Sequence, residues 1–236
     1  MNTNRNWILG LSFIVGMAVF ALLAGHTIRS VKRMEEFVTV KGLSEREVPA
    51  DLAIWPVAFT VSENDLTQLQ GLIQNARKTV YQFLTESGFE QSEISNAPPQ
   101  ITDAQAASGG LDVSKRPARY RANITVLLRS AKVAKVKSAM ETCDKLVQQG
   151  IVLSGSDYTS KPQFLFTGLN QIKPDMIQEA NRNARKAAEK FAADSNSPVG
   201  TIRHAIQGTF EVNDVDSSSP DRKIVRVVTT VDFYLQ

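Results

Sequence analysis

The chain has 236 residues, of which 42% are hydrophobic and 22% are charged, and its formal net charge is +3. This composition is ordinary for a globular protein, and the charge is too small to predict a nucleic-acid-binding face. The single cysteine, Cys143, excludes an internal disulfide bond. The two histidines, His26 and His204, are too few for most zinc sites and histidine-based catalytic sites.

A long apolar run opens the chain. Residues 7–25 contain no charged side chain, and a helix over them would be about 28 Å long, close to the thickness of the hydrocarbon core of a bilayer. The run predicts an N-terminal transmembrane signal anchor, which together with a short cytoplasmic tail forms a first segment, residues 1–33. The side chains expected in the membrane include those of Trp7, Leu11, Phe13, Phe20 and Leu23.

Two other export signals compete with this interpretation. Cleavage after residue 24 or 25 would place a leucine three residues before the cut, where a signal peptide needs a small side chain. A lipoprotein would need a cysteine where His26 stands. An uncleaved signal anchor is therefore favoured. The flanking charges are Arg5 before the run and Arg29, Lys32 and Arg33 after it, and the positive-inside rule alone would keep the following domain in the cytoplasm.

The segment after the anchor alternates apolar and polar residues. This period predicts two strands, 37–48 and 52–61, joined in a hairpin by the tight connection at residues 49–51. Because Pro56 cannot donate to a ladder, the second strand should lie at an edge or contain a bulge. The elements expected next are a helix from residue 64 or 65 to 88, a weak strand over 94–105 broken by Pro98 and Pro99, a loop over 106–117 and a strand over 119–128.

The second half of the chain repeats this order of helix, strand, polar loop and strand. A helix over 132–149 should place Val133, Val136, Met140, Cys143 and Val147 on one side, and an extended segment follows over 151–166. A further helix should begin at Pro174, a favourable first-turn residue, and end at Asp194. Its inward face is expected to consist of Ile177, Ala180, Ala184, Ala188 and Phe191, and two strands follow over 201–212 and 223–235.

These elements predict an α+β fold. Two helix–strand–strand lobes, roughly residues 36–130 and 150–235, should pack their helices on largely antiparallel sheet, and one N-terminal transmembrane helix completes the chain. In the last strand the residues expected to form one continuous apolar face are Val225, Val227, Thr229, Val231, Phe233 and Leu235.

Two stretches resemble the SIMPL-domain family of bacterial extracytoplasmic proteins, a domain of unknown function. One is residues 38–42, Val-Thr-Val-Lys-Gly, with Glu45, Val48 and Asp51. The other is the alanine- and lysine-rich segment 180–192, followed by Gly200-Thr201-Ile202. The resemblance extends over residues 36–235. It implies export, a two-lobed α+β domain, ring- or channel-like oligomers in some members, a link to envelope or oxidative stress, and no accepted enzyme activity.

The export that the resemblance implies outweighs the argument from the flanking charges. We therefore expect a single-pass inner-membrane protein with its domain in the periplasm. The expected partners are the inner membrane, further copies of the chain and an envelope protein, with no nucleic acid and no cofactor. Contacts between copies should involve strand edges or the loops 106–117 and 214–221.

No catalytic, cofactor-binding or metal-binding residue is expected. The candidate binding residues form a basic run, Lys115, Arg116, Arg119 and Arg121, which could contact an anionic partner or could simply be solvated. Cys143 is expected to be structural because apolar residues flank it at helical spacing, although a redox-sensor role is the alternative.

The apolar run and the resemblance together imply a non-enzymatic, membrane-anchored envelope protein that self-associates. The alternative is a ligand-binding protein or enzyme that uses a groove between the two lobes, with Arg119, Tyr120 and Arg121 near its mouth. Titratable groups are sparse in the sequence, and this sparseness favours the interaction module over the enzyme.

Overall fold

The structure is a computed structural model that describes residues 16–18, 20–21, 36–107, 118–154 and 161–235. Most of the predicted anchor, including Trp7, Leu11, Phe13 and Leu23, lies outside these residues, whereas Phe20 is described, in helical conformation and with an exposed side chain. Within the described residues, no helix combines the length and the apolar character needed to cross a membrane.

The described chain from residue 36 onward contains ten strands. Their bounds are β1 (Phe37–Pro49), β2 (Leu52–Glu63), β3 (Ile94–Asn96), β4 (Gln100–Asp103), β5 (Tyr120–Ser130), β6 (Val152–Leu153), β7 (Gln163–Leu165), β8 (Val199–Gln207), β9 (Glu211–Asp214) and β10 (Arg222–Leu235). The helices over the same residues are α1 (Leu66–Glu86), α2 (Ala104–Ala107), α3 (Val133–Glu141), α4 (Asp144–Gln148) and α5 (Leu169–Ser195), and a 3₁₀ turn covers Gln91–Glu93.

The chain divides into two compact units. Unit 1 comprises residues 1–46, 171–211 and 225–236, and unit 2 comprises residues 47–170 and 212–224. Each unit is built from separate stretches of sequence. The division therefore differs from the two continuous lobes, 36–130 and 150–235, that the order of elements predicts.

Unit 2 contains an antiparallel sheet in the order β3-β5-β2-β6, with β4 also paired to β5 and β7 to β2. Strands β2 and β5 pair from Ala53 opposite Ser130 to Glu63 opposite Tyr120. Their alternate side chains form the core together with one stripe of α1, which is the arrangement that the period-two and helical patterns predict. The buried residues of these three elements are Ala53, Trp55, Val57, Phe59, Ala122, Ile124, Val126, Leu128, Leu69, Ile73, Ala76, Val80, Phe83 and Leu84.

A second sheet has the order β1-β10-β8, with β9 also paired to β10. The predicted apolar face of β10 is confirmed, since its alternate residues from Val225 to Phe233 are buried and Leu235 is half-buried. In unit 1 a small core joins β1 and β10 to α5 through Val38, Val231, Phe233, Ala184 and Ala188. The α+β class, with helices packed on antiparallel sheet, is therefore correct.

The predicted β1–β2 hairpin is wrong. Strand β1 pairs with β10, and β2 pairs with β5, β6 and β7. The connecting residues bond elsewhere as well, because Ala50 N donates to Asp221 O and Asp51 N donates to Leu165 O. The tight connection thus joins strands of two different sheets, whereas a hairpin would join neighbouring strands of one sheet.

Pro56 occupies a break in the pairing of β2. On one side β2 pairs with β5 along its length. On the other side it pairs with β7 at residues 52–54 and with β6 at residues 59–60. No described strand pairs with residues 55–58 on that side, so the proline lies where its missing N–H breaks no ladder between described strands.

The predicted helix 132–149 is broken in two. Helix α3 ends at Glu141 and α4 begins at Asp144. The break shifts the phase of the apolar stripe, so Leu146 is fully buried and Val147, which was expected to face inward, is 55% exposed. Val136 is buried as expected, and Cys143 lies half-buried at the break.

The third predicted helix begins earlier than expected. Helix α5 starts at Leu169, so Pro174 lies inside it and not in its first turn. Its buried stripe repeats every four residues, as Met176, Ala180, Ala184, Ala188 and Ala192. The predicted inward residue Phe191 is exposed, and Ile177 is half-buried.

Candidate functional site

The predicted basic run is only partly described. Lys115 and Arg116 lie outside the described residues, whereas Arg119 and Arg121 flank Tyr120 at the start of β5. Both described arginines are exposed. The local geometry gives the two guanidinium groups different surroundings.

Arg119 is engaged by its own neighbours. Its Nε lies 3.1 Å from Asp103 Oδ2, and its guanidinium lies 4.9 Å from the ring centroid of Tyr120. Burial would raise the pKa of Asp103, but hydrogen bonds from Ala106 N and Arg119 outweigh it, so this pKa lies below its ordinary value. Arg119 therefore neutralises a carboxylate of the same unit, which lowers its attraction for an external anion.

Arg121 lines an open cavity of about 520 Å³ in unit 2. Thr60 and Ser62 of β2 and Leu72 of α1 line the same cavity. The surroundings are mostly neutral, and Arg121 has no ion-pair partner among the described residues. One cation in an open cavity is a weak attractor for an anion in water.

The residues that carry the family resemblance perform structural roles. Gly42 faces α5, and a Cβ atom at this position would lie 1.9 Å from Ala180 O and 2.5 Å from Ala184 N. The strand and the helix can approach this closely because position 42 has no side chain and the helix presents alanines. The Val-Thr-Val-Lys-Gly stretch and the alanine-rich stretch are thus two halves of one packing contact in unit 1.

Asp51 holds the turn that precedes α5. Its Oδ2 accepts hydrogen bonds from Gly168 N and Thr167 Oγ1, each at 3.0 Å, and its Oδ1 accepts one from Thr167 N at 2.8 Å. These donors would otherwise be unpaired at the start of a helix. This carboxylate explains why α5 begins at Leu169, ahead of the proline that the sequence suggests as a start.

A polar contact joins β1 to the middle of α5 within unit 1. The hydroxyl of the buried residue Ser44 donates to Glu179 Oε2 at 2.9 Å, and Arg46 Nη2 lies 3.3 Å from the same oxygen. The hydrogen bond from Ser44, followed by that from Arg46, holds the pKa of Glu179 below its ordinary value. The contact satisfies a buried hydroxyl and is structural in character.

In the loop 214–221, a predicted contact between copies, two of the three aspartates pair with lysines inside unit 2. Lys137 Nζ lies 2.8 Å from Asp221 Oδ1, and this ammonium group lowers the pKa of Asp221. Lys223, whose side chain is 10% exposed, pairs with Asp214. These pairings give the loop a fixed shape and leave it few free charges. The other predicted contact loop, 106–117, lies almost entirely outside the described residues.

Cys143 packs against the core of unit 2 at the junction of α3 and α4. It is a free thiol in a half-buried position, so the structural role remains a prediction. In the described part of the chain, no group of three or more histidine, cysteine, aspartate or glutamate side chains could hold a metal ion.

Strand β8 in unit 1 is exposed over most of its length, and the sequence pattern did not single it out. It pairs with β10 alone among the described strands, and residues 201–207 are exposed on both faces. Its two isoleucines, Ile202 and Ile206, are 54% and 57% exposed. The sequence signal for these two side chains is their spacing of four residues, which places both on one side of a strand. Arg203 and His204 lie between them and interrupt the apolar alternation, so the signal is weak.

Residues 38–229 match the model of the SIMPL family, described as proteins of unknown function (DUF541). The match covers most of the chain and includes both stretches that pack together at Gly42. No curated protein matches the chain.

Proposed function

Since the chain belongs to the SIMPL family, whose function is unknown, we propose that it is a non-enzymatic, membrane-anchored envelope protein that self-associates through strand β8. Its N-terminal apolar run serves as an uncleaved transmembrane helix, and residues 36–235 form the interaction module in the periplasm. The module acts by assembling with copies of itself, and with an envelope protein, under envelope or oxidative stress.

The exposed edge of β8 is the observation that carries this proposal. An edge strand presents unpaired backbone N–H and C=O groups to which another chain can add. Arg203 and the register shifts near Ile202 guard the first half of β8, but residues 204–207 contain no lysine, arginine or proline to protect the edge. Pairing is regular from Thr229 opposite Gln207 to Asp232 opposite His204, so this stretch offers a straight template.

The anchor strengthens this association. Chains held in one membrane are confined to a thin layer, which raises their effective concentration relative to free solution. An edge contact that is weak for an isolated domain can therefore support an oligomer at the bilayer. The anchor and the edge strand thus act together in one function.

The experiment replaces Ile206 by lysine in the full chain and measures the oligomer in membranes. The Ile206→Lys change adds a charge beside the free edge, and a charge there should oppose edge-to-edge pairing. Cross-linking in proteoliposomes should yield oligomers for the unmodified chain and a large loss of them for this variant. Val152→Lys is the matched control, because Val152 is 66% exposed but belongs to unit 2.

Equal melting temperatures of the two variants would show that both remain folded. If Ile206→Lys unfolds the chain, Ile206→Thr provides a milder polar change at the same site. Oligomers that survive at Ile206→Lys and disappear at Val152→Lys would refute the β8 edge. A chain that stays monomeric in membranes without any substitution would refute self-association, and a ligand-binding role would then lead.

A further inference from the structure

At one end of unit 1, strands β1 and β8 begin and strand β10 ends. Leu235 N donates to Glu36 O at 2.9 Å, which places the end of β10 beside the start of β1. Leu235 also lies opposite Val199, the first residue of β8. Three residues, 196–198, lie between the end of helix α5 and the start of β8, and Ser197 N donates to Ala192 O across this turn. We name this region the entry end.

The entry end exposes large apolar side chains next to cations. Phe37 is 41% exposed, Phe191 is 49% exposed, and Ile202 is more exposed than either. The guanidinium of Arg203 lies 4.0 Å from the centroid of the Phe37 ring. Lys190 is exposed beside Phe191, and the acidic residues of the same region are Glu36, Glu189 and Asp194.

The short connection between the apolar run and Phe37 limits how far this end can lie from a membrane that holds the run. Eleven residues, 26–36, separate the run 7–25 from Phe37. Fully extended, they span at most about 40 Å. If the run crosses a bilayer, this connection keeps the entry end within about 40 Å of the lipid, whereas other parts of unit 1 are not tethered directly.

We propose that the entry end docks on the headgroup layer of the bilayer that holds the anchor, with Phe37, Phe191 and Ile202 as its contacts. Aromatic and aliphatic side chains beside arginine and lysine suit this layer, where one part of a side chain meets acyl chains and another meets water and phosphate. The inference rests on the proposed anchor. It adds an orientation to that proposal, with β1 rising from the membrane at Phe37.

The test measures the depth of single labels in the full chain, reconstituted in vesicles of phosphatidylcholine and phosphatidylglycerol. The lone cysteine is first removed by Cys143→Ser, or by Cys143→Ala if serine destabilises the fold. A fluorescent label is then placed by Ile202→Cys, by Leu43→Cys or by Phe20→Cys in separate preparations. Quenching is measured with a nitroxide on the lipid headgroup and with iodide in the water.

Leu43 is the matched control because it is 41% exposed on the same sheet, six residues along β1 from Phe37. At about 3.3 Å per residue, the two positions lie roughly 20 Å apart. The label at 202 should lose emission to the headgroup nitroxide, and the label at 43 should lose it only to iodide. Acyl-chain nitroxides should quench the label at 20.

Three results would overturn the inference. Quenching of the label at 202 by iodide alone would show that the entry end stands in water. Protection of that label from both quenchers would show that another chain covers it. If the label at 20 is not quenched from within the bilayer, the anchor is refuted and the docking falls with it. Quenching at 20 without lipid quenching at 202 refutes the docking alone.

Discussion

Gly42 and Gly71 are two glycines in opposite surroundings. A Cβ atom at Gly42 would overlap the backbone of α5 at Ala180, whereas a Cβ atom at Gly71, on the exposed side of α1, would meet nothing within 4 Å. Gly42→Ala must push a strand away from a helix, and we expect a loss of at least about 2 kcal/mol in the free energy of unfolding. Gly71→Ala should instead gain up to about 1 kcal/mol, because alanine favours the helix.

Urea unfolding of both variants measures these changes side by side. The pair separates a steric role of Gly42 from a general effect of replacing glycine. A Gly42→Ala variant as stable as the unmodified chain would show that β1 and α5 are not packed this closely. The Val-Thr-Val-Lys-Gly stretch would then need a different explanation.

Single residues show where sequence reasoning succeeds and where it stops. The inward residues of β5 and β10 are predictable because a strand buried on one face alternates strictly. Gly42 can be recognised in the sequence as part of a family pattern. The sequence does not show why a glycine is needed there, because the carbonyl that leaves no room for a side chain belongs to Ala180, about 140 residues later. The ion pair of Arg119 is hidden from the sequence for the same reason, since its partner Asp103 lies on the other side of the loop 106–117.

At the scale of elements, the break between α3 and α4 changes which side chain supports the core. Leu146 is fully buried and its neighbour Val147 is exposed. Leu146→Ala should lower the free energy of unfolding by about 2–5 kcal/mol, because it leaves a cavity. Val147→Ala should change it by less than about 0.5 kcal/mol, as is usual for a surface position.

Thermal unfolding of the two alanine variants distinguishes the broken helix from a continuous one. A continuous helix over 132–149 would place Val147 on the buried stripe with Val136 and Cys143. A larger loss for Val147→Ala than for Leu146→Ala would therefore contradict the break.

Pairing partners are the part of the fold that local patterns do not encode. The turn residues 49–51 suit a hairpin, yet β1 finds its partner in β10, near the other end of the chain. The helix start at Leu169 has the same origin, because Asp51 supplies its hydrogen-bond acceptors from more than 100 residues away. Element type follows from period and turn chemistry, whereas register and start points depend on such distant contacts.

At the scale of the whole molecule, the two units share strands and a helix. Strands β1 and β10 each begin in one unit and end in the other, and so does α5. A repeated order of elements along a sequence predicts continuous lobes, but closing each sheet requires strands from distant parts of the chain. The sequence therefore predicts the types of element in the fold, whereas the strands that complete each sheet depend on contacts between distant parts of the chain.

Two arguments disagree about the orientation that the proposed anchor would give the chain. The cations Arg29, Lys32 and Arg33 after the apolar run favour a cytoplasmic domain by the positive-inside rule. The resemblance noted in the sequence implies export, and long domains translocate largely regardless of flanking charge. We therefore predict that residues 36–235 lie in the periplasm and the N-terminus in the cytoplasm.

Labelling with a membrane-impermeant maleimide decides between these orientations. In a Cys143→Ser background, Val152→Cys presents an exposed thiol in unit 2, and Asn2→Cys presents one before the apolar run. In intact spheroplasts the thiol at 152 should react and the thiol at 2 should react only after lysis. The reverse pattern would place the domain in the cytoplasm, where the cations after the run would then govern insertion. The entry end would in that case face the inner leaflet, whose anionic lipids the exposed Arg203 and Lys190 would meet.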